Sequence, residues 1–473
     1  MAPSTLSQLY KLIAESVAAI DASCATRGVE VPSIDSAFTP GSEAFRMDPT
    51  VAEAINIATA SAYQIAALLE PPSVSVSHIA SGHYKAIALR ALLETNTVEI
   101  LREAGPKGIH VDEIAKRNQL DPNKNARLLR YLSTYYLFRE VEPDVFSNTR
   151  ISSMLDTGKS VDELLAKPRD RHVGTSGFAA LIEHILDEGW MGATSAVATL
   201  RDPKTRFSGE PTDAPLARTT GSNVPFWVWI EQPGQEMRLQ RFGIAMQGVA
   251  AMQPAEAALD SFDWKSLGVE DVVVDVGAGV GAVSLALAKS YPSLKIVVQD
   301  RDAVIVQANG IWAKELPEAV RSGRVKLQGH DVFTPQPVKG ASVFLLKQIL
   351  HDWSDSYAIT ILKHLRAAAT PKTKLVAMES IVPYACRDTR TVDKDGIPGA
   401  MPHEAPEPLL ANFGPINDMQ YNSDFTMFLL GNSQERTIDH FYSLLLAAGW
   451  KIIRVYQGEG RSAFMQQMEA VPV

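Results

Sequence analysis

The sequence predicts a doubly wound α/β domain at the C-terminal end of a chain whose first half is mostly helical. Three observations carry this. From Asp271 onward, short runs rich in Val, Ile and Leu alternate with stretches of helical spacing. The first of those runs ends in D-V-G-A-G-V-G, Asp275 to Gly281, a glycine-rich turn that leads into a helix. Ahead of Asp271, apolar residues recur mainly at helical intervals, with one hairpin-like stretch.

Taken in order, Leu6, Leu9, Tyr10, Ile13, Val17 and Ile20 predict an opening amphipathic helix. A loop with Pro32 and Pro40 follows, then a helix over Thr50 to Leu69 closed by Pro71-Pro72. That second helix is apolar on more than one face, so a second subunit is expected to cover part of it. From His83 to Leu155 compact helices are expected, with Ile87, Leu89, Leu92, Leu93 and Val98 on one face and Val111, Ile114 and Ala115 packing in the next. A further helix should begin at Ala126, and Phe138–Val141 with Val145–Phe146 should form a hairpin across Glu142-Pro143-Asp144. Helix, turn, helix and hairpin make a winged helix. Such a shape raises DNA binding, but Lys124, Arg127 and Arg130 are offset by Glu99, Glu103, Asp112 and Glu113, and phosphate binding needs an uncompensated cationic face.

Asp156 to Glu270 reads as mostly helical, broken by a polar stretch from Arg201 to Pro225. Met237 to Met252 reads as a helix whose methionines either fill core gaps or line a substrate pocket just ahead of the α/β domain. Strands are expected at Val272–Val276, Lys295–Gln299, Val325–Gln328, Val343–Lys347, Lys374–Glu379, Lys451–Tyr456 and Ala463–Met468, the last pair forming a hairpin that puts one antiparallel strand into a parallel sheet. The expected domains are a helical extension at 1–75, a winged helix at 76–160, a helical connector at 161–265 and the cofactor domain at 266–473.

At 473 residues more than one core is expected, and 46% hydrophobic with 21% charged residues is ordinary for a soluble globular protein. A net charge of −9 and a pI of 5.7 argue against a nucleic-acid-coating surface. Two cysteines, Cys24 and Cys386, exclude a disulfide framework and a cysteine-rich metal site, and suit a reducing compartment. Polar residues interrupt both the early apolar stretch and Thr50 to Leu69, so neither a signal peptide nor a membrane span is expected and a cytoplasmic location is.

Glycines at 277, 279 and 281 let a nucleotide-like ligand approach bare backbone, and Asp300 ends the next strand where a ribose-binding acid belongs. A dinucleotide satisfies this pattern as well as S-adenosylmethionine does. Three later features separate them. Asp331-Val332-Phe333 ends the third strand with an acid to accept an adenine amino group and a ring to cover its face, unless Asp331 merely caps a turn. Lys347 ends the fourth strand, and H-D-W-S-D, His351 to Asp355, opens a helix capped by Ser354 or Asp355. His330 has no partner at metal-ligand spacing, so no metal is assigned.

L-K-Q-I-L-H-D-W-S-D (Leu346 to Asp355), the glycine turn and G-N-S-Q-E-R-T (Gly431 to Thr437) together resemble the caffeate-type O-methyltransferases of plants and their fungal relatives, over about Ser81 to Val473. The resemblance implies a seven-stranded class I methyltransferase sheet, S-adenosyl-L-methionine as cofactor with S-adenosyl-L-homocysteine as product, no metal, and a homodimer whose subunits help wall each other's pockets. It implies His351 as catalytic base with Glu379 and Glu435 flanking and orienting it. It places the cofactor on Asp275, Gly277, Gly279, Gly281, Asp300, Arg301, Asp331, Val332, Phe333, Lys347 and Trp353, and a small phenolic acceptor, lignin-related or polyketide, on Met246, Met252, Asp352, Asp424 and Met427.

Elementary chemistry supports the base independently. A phenol titrates near 10 and imidazole near 6.5, so proton removal must accompany attack on the methyl group. A neutral His351 held by a carboxylate can accept that proton. Two departures from the family stand out: the first 80 residues or so, expected to enlarge the dimer interface, and the insertion within Tyr384 to Tyr421, read either as a surface loop or as a lid over the acceptor. Other readings are a methyltransferase-like enzyme that keeps the cofactor and catalyses a rearrangement such as a pericyclic reaction, and a dehydrogenase.

Overall fold

The computed structural model describes residues 3–260, 262–388, 396–457 and 465–473. The chain forms two compact units. The first runs to Trp190 and adds Ile230–Ala251 and Ala405–Ile416; the second comprises Met191–Trp229, Met252–Glu404 and Asn417–Val473.

In the first unit, helix α1 (Thr5–Arg27) packs on helix α2 (Pro49–Leu69). Asp48 starts α2 by accepting the Thr50 N–H at 3.0 Å, with Pro49 at the first helical position. Arg27, at the end of α1, ties the connecting loop by donating to the carbonyls of Ala44 and Phe45. The buried stripe of α1 is Leu9, Ser16 and Cys24, whereas Leu6, Tyr10 and Val17 of the expected apolar face are exposed. Small residues explain the shift: Ser16 on α1 and Ala54, Ala60 and Ser61 on α2 are buried where bulkier side chains would hold two helices apart. Tyr63, Leu68 and Leu69 of α2 remain exposed.

The face expected over Ile87 to Val98 is interrupted. Gly82–Glu94 and Thr97–Ala104 are separate helices parted by Asn96, whose φ of 56° is left-handed, and Ile87 is exposed while Leu92, Leu93 and Val98 are fully buried. The helix expected from Ala126 spans Pro122–Ser133 and starts earlier because Asp121 caps it through the Lys124 N–H at 2.9 Å. Strands β1 (Ile109–His110), β2 (Phe138–Glu142) and β3 (Val145–Asn148) form an antiparallel sheet in the order β1-β3-β2, so the hairpin has a third partner that periodicity did not reveal. Arg130 binds Glu140 and Asp144 of this hairpin at 2.7 and 2.8 Å, which compensates its charge within the fold. A buried ionic network was also missed: Arg241 binds Asp187 and Glu188 at 2.7 Å, beside a single π-turn at Ile185–Gly189.

The second unit holds a seven-stranded sheet of β4 (Val272–Val276), β5 (Lys295–Asp300), β6 (Val325–Gly329), β7 (Val343–Lys347), β8 (Lys374–Glu379), β9 (Trp450–Tyr456) and β10 (Gln466–Pro472), in the order β6-β5-β4-β7-β8-β10-β9. Only β10 is antiparallel, to both β8 and β9. Central strands such as V-F-L-L-K are apolar without alternation because helices cover both faces, one side packing Phe344, Leu346 and Trp450 and the other Val343, Leu345 and Trp312. The last strand lies further on than Ala463–Met468: residues 463 and 464 are outside those described, and buried Met468 and Ala470 continue the inward face to Pro472.

The insertion is packed, not a loose surface loop, apart from residues 389–395, which lie outside those described. Ile397 and Ala400 join the core of the second unit. Ala405, Leu409 and Phe413 bury against Leu9 and Ala60 in the first, where Gln64 Nε2 donates to the Pro408 carbonyl at 2.9 Å. The two stretches that depart from the family pattern therefore share one apolar cluster. No helix among the described residues is long and apolar enough to cross a membrane.

Candidate active site

The site grows from the C-terminal edge of β4, β5, β7 and β8. Parallel strands end there together, and their following loops converge on one crevice at the point where strand order reverses. Beyond β4 the chain turns through Gly277, with φ +69°, where an added Cβ would stand 2.5 Å from Ile349 Cδ1. At Gly281, φ +83°, it would meet Val298 and the Trp312 ring. Both positions need glycine on conformation and on space. Asp275 is buried, accepts the Ser284 hydroxyl at 2.6 Å, and is raised by burial to about 6. Asp300, ending β5, accepts the Gly279 N–H at 2.8 Å and the Arg301 N–H at 2.7 Å. That bond joins the glycine turn to the acid expected to hold a ribose.

Lys347, the last residue of β7, is half-buried; burial lowers its pKa against the pull of Asp275 and Glu379, and its ammonium donates to Gln348 Oε1 at 3.2 Å. Asp331 is exposed and accepts the Phe333 N–H at 3.0 Å, a turn-capping bond. Phe333 stands edge-on to Trp353 with ring centres 4.6 Å apart, and Trp353 stacks on Tyr357. Val332 is half-buried against the core.

His351 sits in a short 3₁₀ turn, Leu350–Asp352, directly after β7. Its Nδ1 donates to Glu435 Oε1 at 2.9 Å, and the same oxygen accepts the Ser423 hydroxyl at 2.7 Å. Nε2 makes no hydrogen bond among the described residues; the nearest acid is Asp352 Oδ1 at 3.6 Å. Glu379, wholly buried at the end of β8, holds the main chain of this turn and not the ring: Oε1 accepts the N–H groups of Ile349 and Leu350 at 3.1 and 2.8 Å. Its Oε2 and that of Glu435 are buried without a hydrogen-bond partner among the described residues. One atom each of His351, Glu379 and Glu435 lie within 4.8 Å of one another.

Burial opposes charging the imidazole, but Glu435, Asp352 and Glu379 outweigh it and push His351 well above its usual range, to about 10. Burial raises Glu379 to about 7 and Asp352 to about 6; burial also works against ionising Glu435, yet His351 holds it lowered. The arrangement is a desolvated imidazole–carboxylate pair with one ring nitrogen left open.

Of the residues assigned to the acceptor, Asp424 accepts the Glu435 N–H at 2.8 Å, and Met427 lies on the same helix, Met419–Gly431. Met252 ends the helix Glu236–Met252, partly exposed, and Met246 of that helix falls in the first unit. A cleft of about 520 Å³ is lined by Phe207, Ser354, Asp424, Phe428 and Asn432; His351 does not line it. Sequence reasoning missed Ser284, Ser423 and Arg436, the last fully buried although it is a neighbour of Glu435 in Q-E-R-T. Its place inside that motif was the available signal.

Residues 209–397 match the O-methyltransferase domain and residues 77–158 the O-methyltransferase dimerisation domain. The chain is 44% identical over 471 residues, 99% of its length and all of the relative's, to 4-O-methyltransferase 1 of Phanerochaete chrysosporium. The chain belongs to the O-methyltransferase family. This enzyme is also 42% identical to an O-methyltransferase of Armillaria gallica, over 96% of each chain. A solved structure described as a pericyclic reaction enzyme superposes with a TM-score of 0.62 at 17% identity, covering 90% of this methyltransferase and 95% of that chain, a likeness of fold alone.

Proposed function

We propose that this O-methyltransferase moves a methyl group from S-adenosyl-L-methionine to the hydroxyl of a small phenol, with His351 as general base. The observation that carries the reading is the 2.9 Å bond from His351 Nδ1 to a buried Glu435, which leaves Nε2 open. The donor set suits the cofactor: a backbone cradle that side chains would fill, the Asp300 carboxylate beside it for a ribose diol, and an aromatic pair at Phe333 and Trp353. When bound, S-adenosylmethionine supplies a methyl group already activated on a sulfonium.

In the neutral ring Glu435 fixes the tautomer, so Nε2 carries the lone pair that takes the phenolic proton as oxygen attacks. The imidazolium formed is stabilised by the same carboxylate. Glu379 contributes by fixing the backbone that carries the ring. A homodimer through the dimerisation domain, a cytoplasmic location, and the substrate roles of Met246, Met252, Asp352, Asp424 and Met427 complete the proposal. The 44%-identical relative is named 4-O-methyltransferase 1, which supports transfer of the methyl group to an oxygen.

The test is incubation of the pure enzyme with isotopically methyl-labelled S-adenosylmethionine and a panel of phenols. Label in an aryl ether supports the reading. An acceptor rearranged while the cofactor stays intact would replace it with the pericyclic alternative.

A further inference from the structure

Arg436 is the most heavily bonded charged group around the His351 turn, and nothing in the proposed proton transfer uses it. Its side chain is wholly buried. Nη1 donates to the Leu350 carbonyl at 2.7 Å and Nη2 to the Trp353 carbonyl at 2.7 Å, while Nε donates to Asp355 Oδ1 at 3.0 Å. Leu350 and Trp353 bracket His351 in the chain. Asp355 is held in turn by His440 Nε2 at 2.7 Å and by Gln434 Nε2 at 3.0 Å.

Burying a guanidinium costs several kcal/mol unless its protons are all engaged. Neutralising Asp355 alone would not require that burial, because the aspartate side chain is 44% exposed and the pair could form at the surface. Two of the shortest bonds go instead to main-chain carbonyls on either side of the histidine. The opposite, N–H side of the same turn is held by Glu379. Immediately before it, Gln348 adopts φ 54°, a left-handed conformation that a non-glycine residue keeps only when its surroundings over-determine it. Glu435 and Arg436, adjacent in sequence, therefore grip the ring and its backbone respectively.

We propose that Arg436 is a positioning residue for the methyl transfer: by clamping the carbonyls of Leu350 and Trp353 it sets the His351 imidazole against Glu435. This rests on the reading of His351 as the base. The test is a double-mutant cycle of Arg436→Met and His351→Ala in the full-length enzyme, with S-adenosylhomocysteine affinity as a binding control. Arg436→Met should lower kcat about 10- to 100-fold, the scale of a misplaced reacting group, with affinity changed less than about twofold and Arg436→Lys recovering part of the loss. In the His351→Ala background the same change should cost less than about threefold, because coupled residues are not additive. An equal loss in both backgrounds, as from a merely structural role, or no loss in either, would overturn the proposal. Titration of the His351 ring by NMR separates the two readings: Arg436→Met should move its apparent pKa even if His351→Ala proves active, which would sink the base and spare the clamp. An unmoved titration would sink the clamp. Should Arg436→Met not fold, Asp355→Asn loosens the same guanidinium and should act in the same direction on kcat and on the titration; no effect on either counts against the clamp.

Discussion

His351 and Glu435 are 84 residues apart in sequence yet share a 2.9 Å hydrogen bond with both side chains buried. The bond joins the turn after β7 to the segment following helix Met419–Gly431. It also sets the protonation of the ring. A carboxylate in a desolvated place attracts a proton onto its imidazole partner, and the partner must lose that proton before it acts as a base.

His351→Ala should cut turnover by about two to four orders of magnitude, the usual scale for a general base, and leave cofactor affinity almost unchanged. Steady-state kinetics with isothermal titration of S-adenosylhomocysteine would check both halves. Near-normal turnover would remove the proposed role.

The pH dependence follows from the direction of the shift. His351 stands above the ordinary imidazole value, so the imidazolium persists into neutral solution and the neutral base gains ground as pH rises. Activity should therefore climb with pH through this range. Glu435→Gln removes the largest contribution that raises the ring, so the acid limb of kcat/KM should move to lower pH while kcat falls about 10²- to 10³-fold from lost orientation. A limb that stays put would mean that another group titrates.

Asp300→Ala should weaken S-adenosylhomocysteine binding by about 1.5–3 kcal/mol, the worth of a hydrogen bond to a charged group. The loss has two physical sources, the absent ribose acceptor and a glycine turn released from the 2.8 Å Gly279 bond. Titration calorimetry that shows unchanged affinity would place the ribose elsewhere.

Much of this architecture is legible in the sequence. The strand–turn–helix rhythm after Asp271 is local, and the positions of β4 to β9 follow from apolar runs that need no long-range information. The motifs single out His351, Glu379 and Glu435, and only their mutual geometry requires the fold. What stayed hidden is non-local. Glu379 binds backbone N–H groups of another strand's loop, and Arg436 is buried by carbonyls far away in sequence; composition is blind to both. Periodicity misplaces the burial register of α1 because Leu6 and Tyr10 are more hydrophobic than Ser16, yet close helix approach rewards the smaller residue. Asp331 closes a turn through the Phe333 N–H, the capping role that the sequence already offers beside adenine binding.

The insertion offers a prediction about stability. Leu409 is 5% exposed and packs in one cluster with Leu9, Ala60 and Phe413, so a segment that sequence composition describes as a loop is part of a core. Leu409→Ala should lower the free energy of unfolding by about 2–4 kcal/mol, the range for deleting most of a buried leucine side chain. Urea unfolding followed by far-UV circular dichroism would read this as an earlier midpoint. Surface substitutions change stability by no more than about 0.5 kcal/mol, so a value that small would mean the segment is not held on α1 and α2.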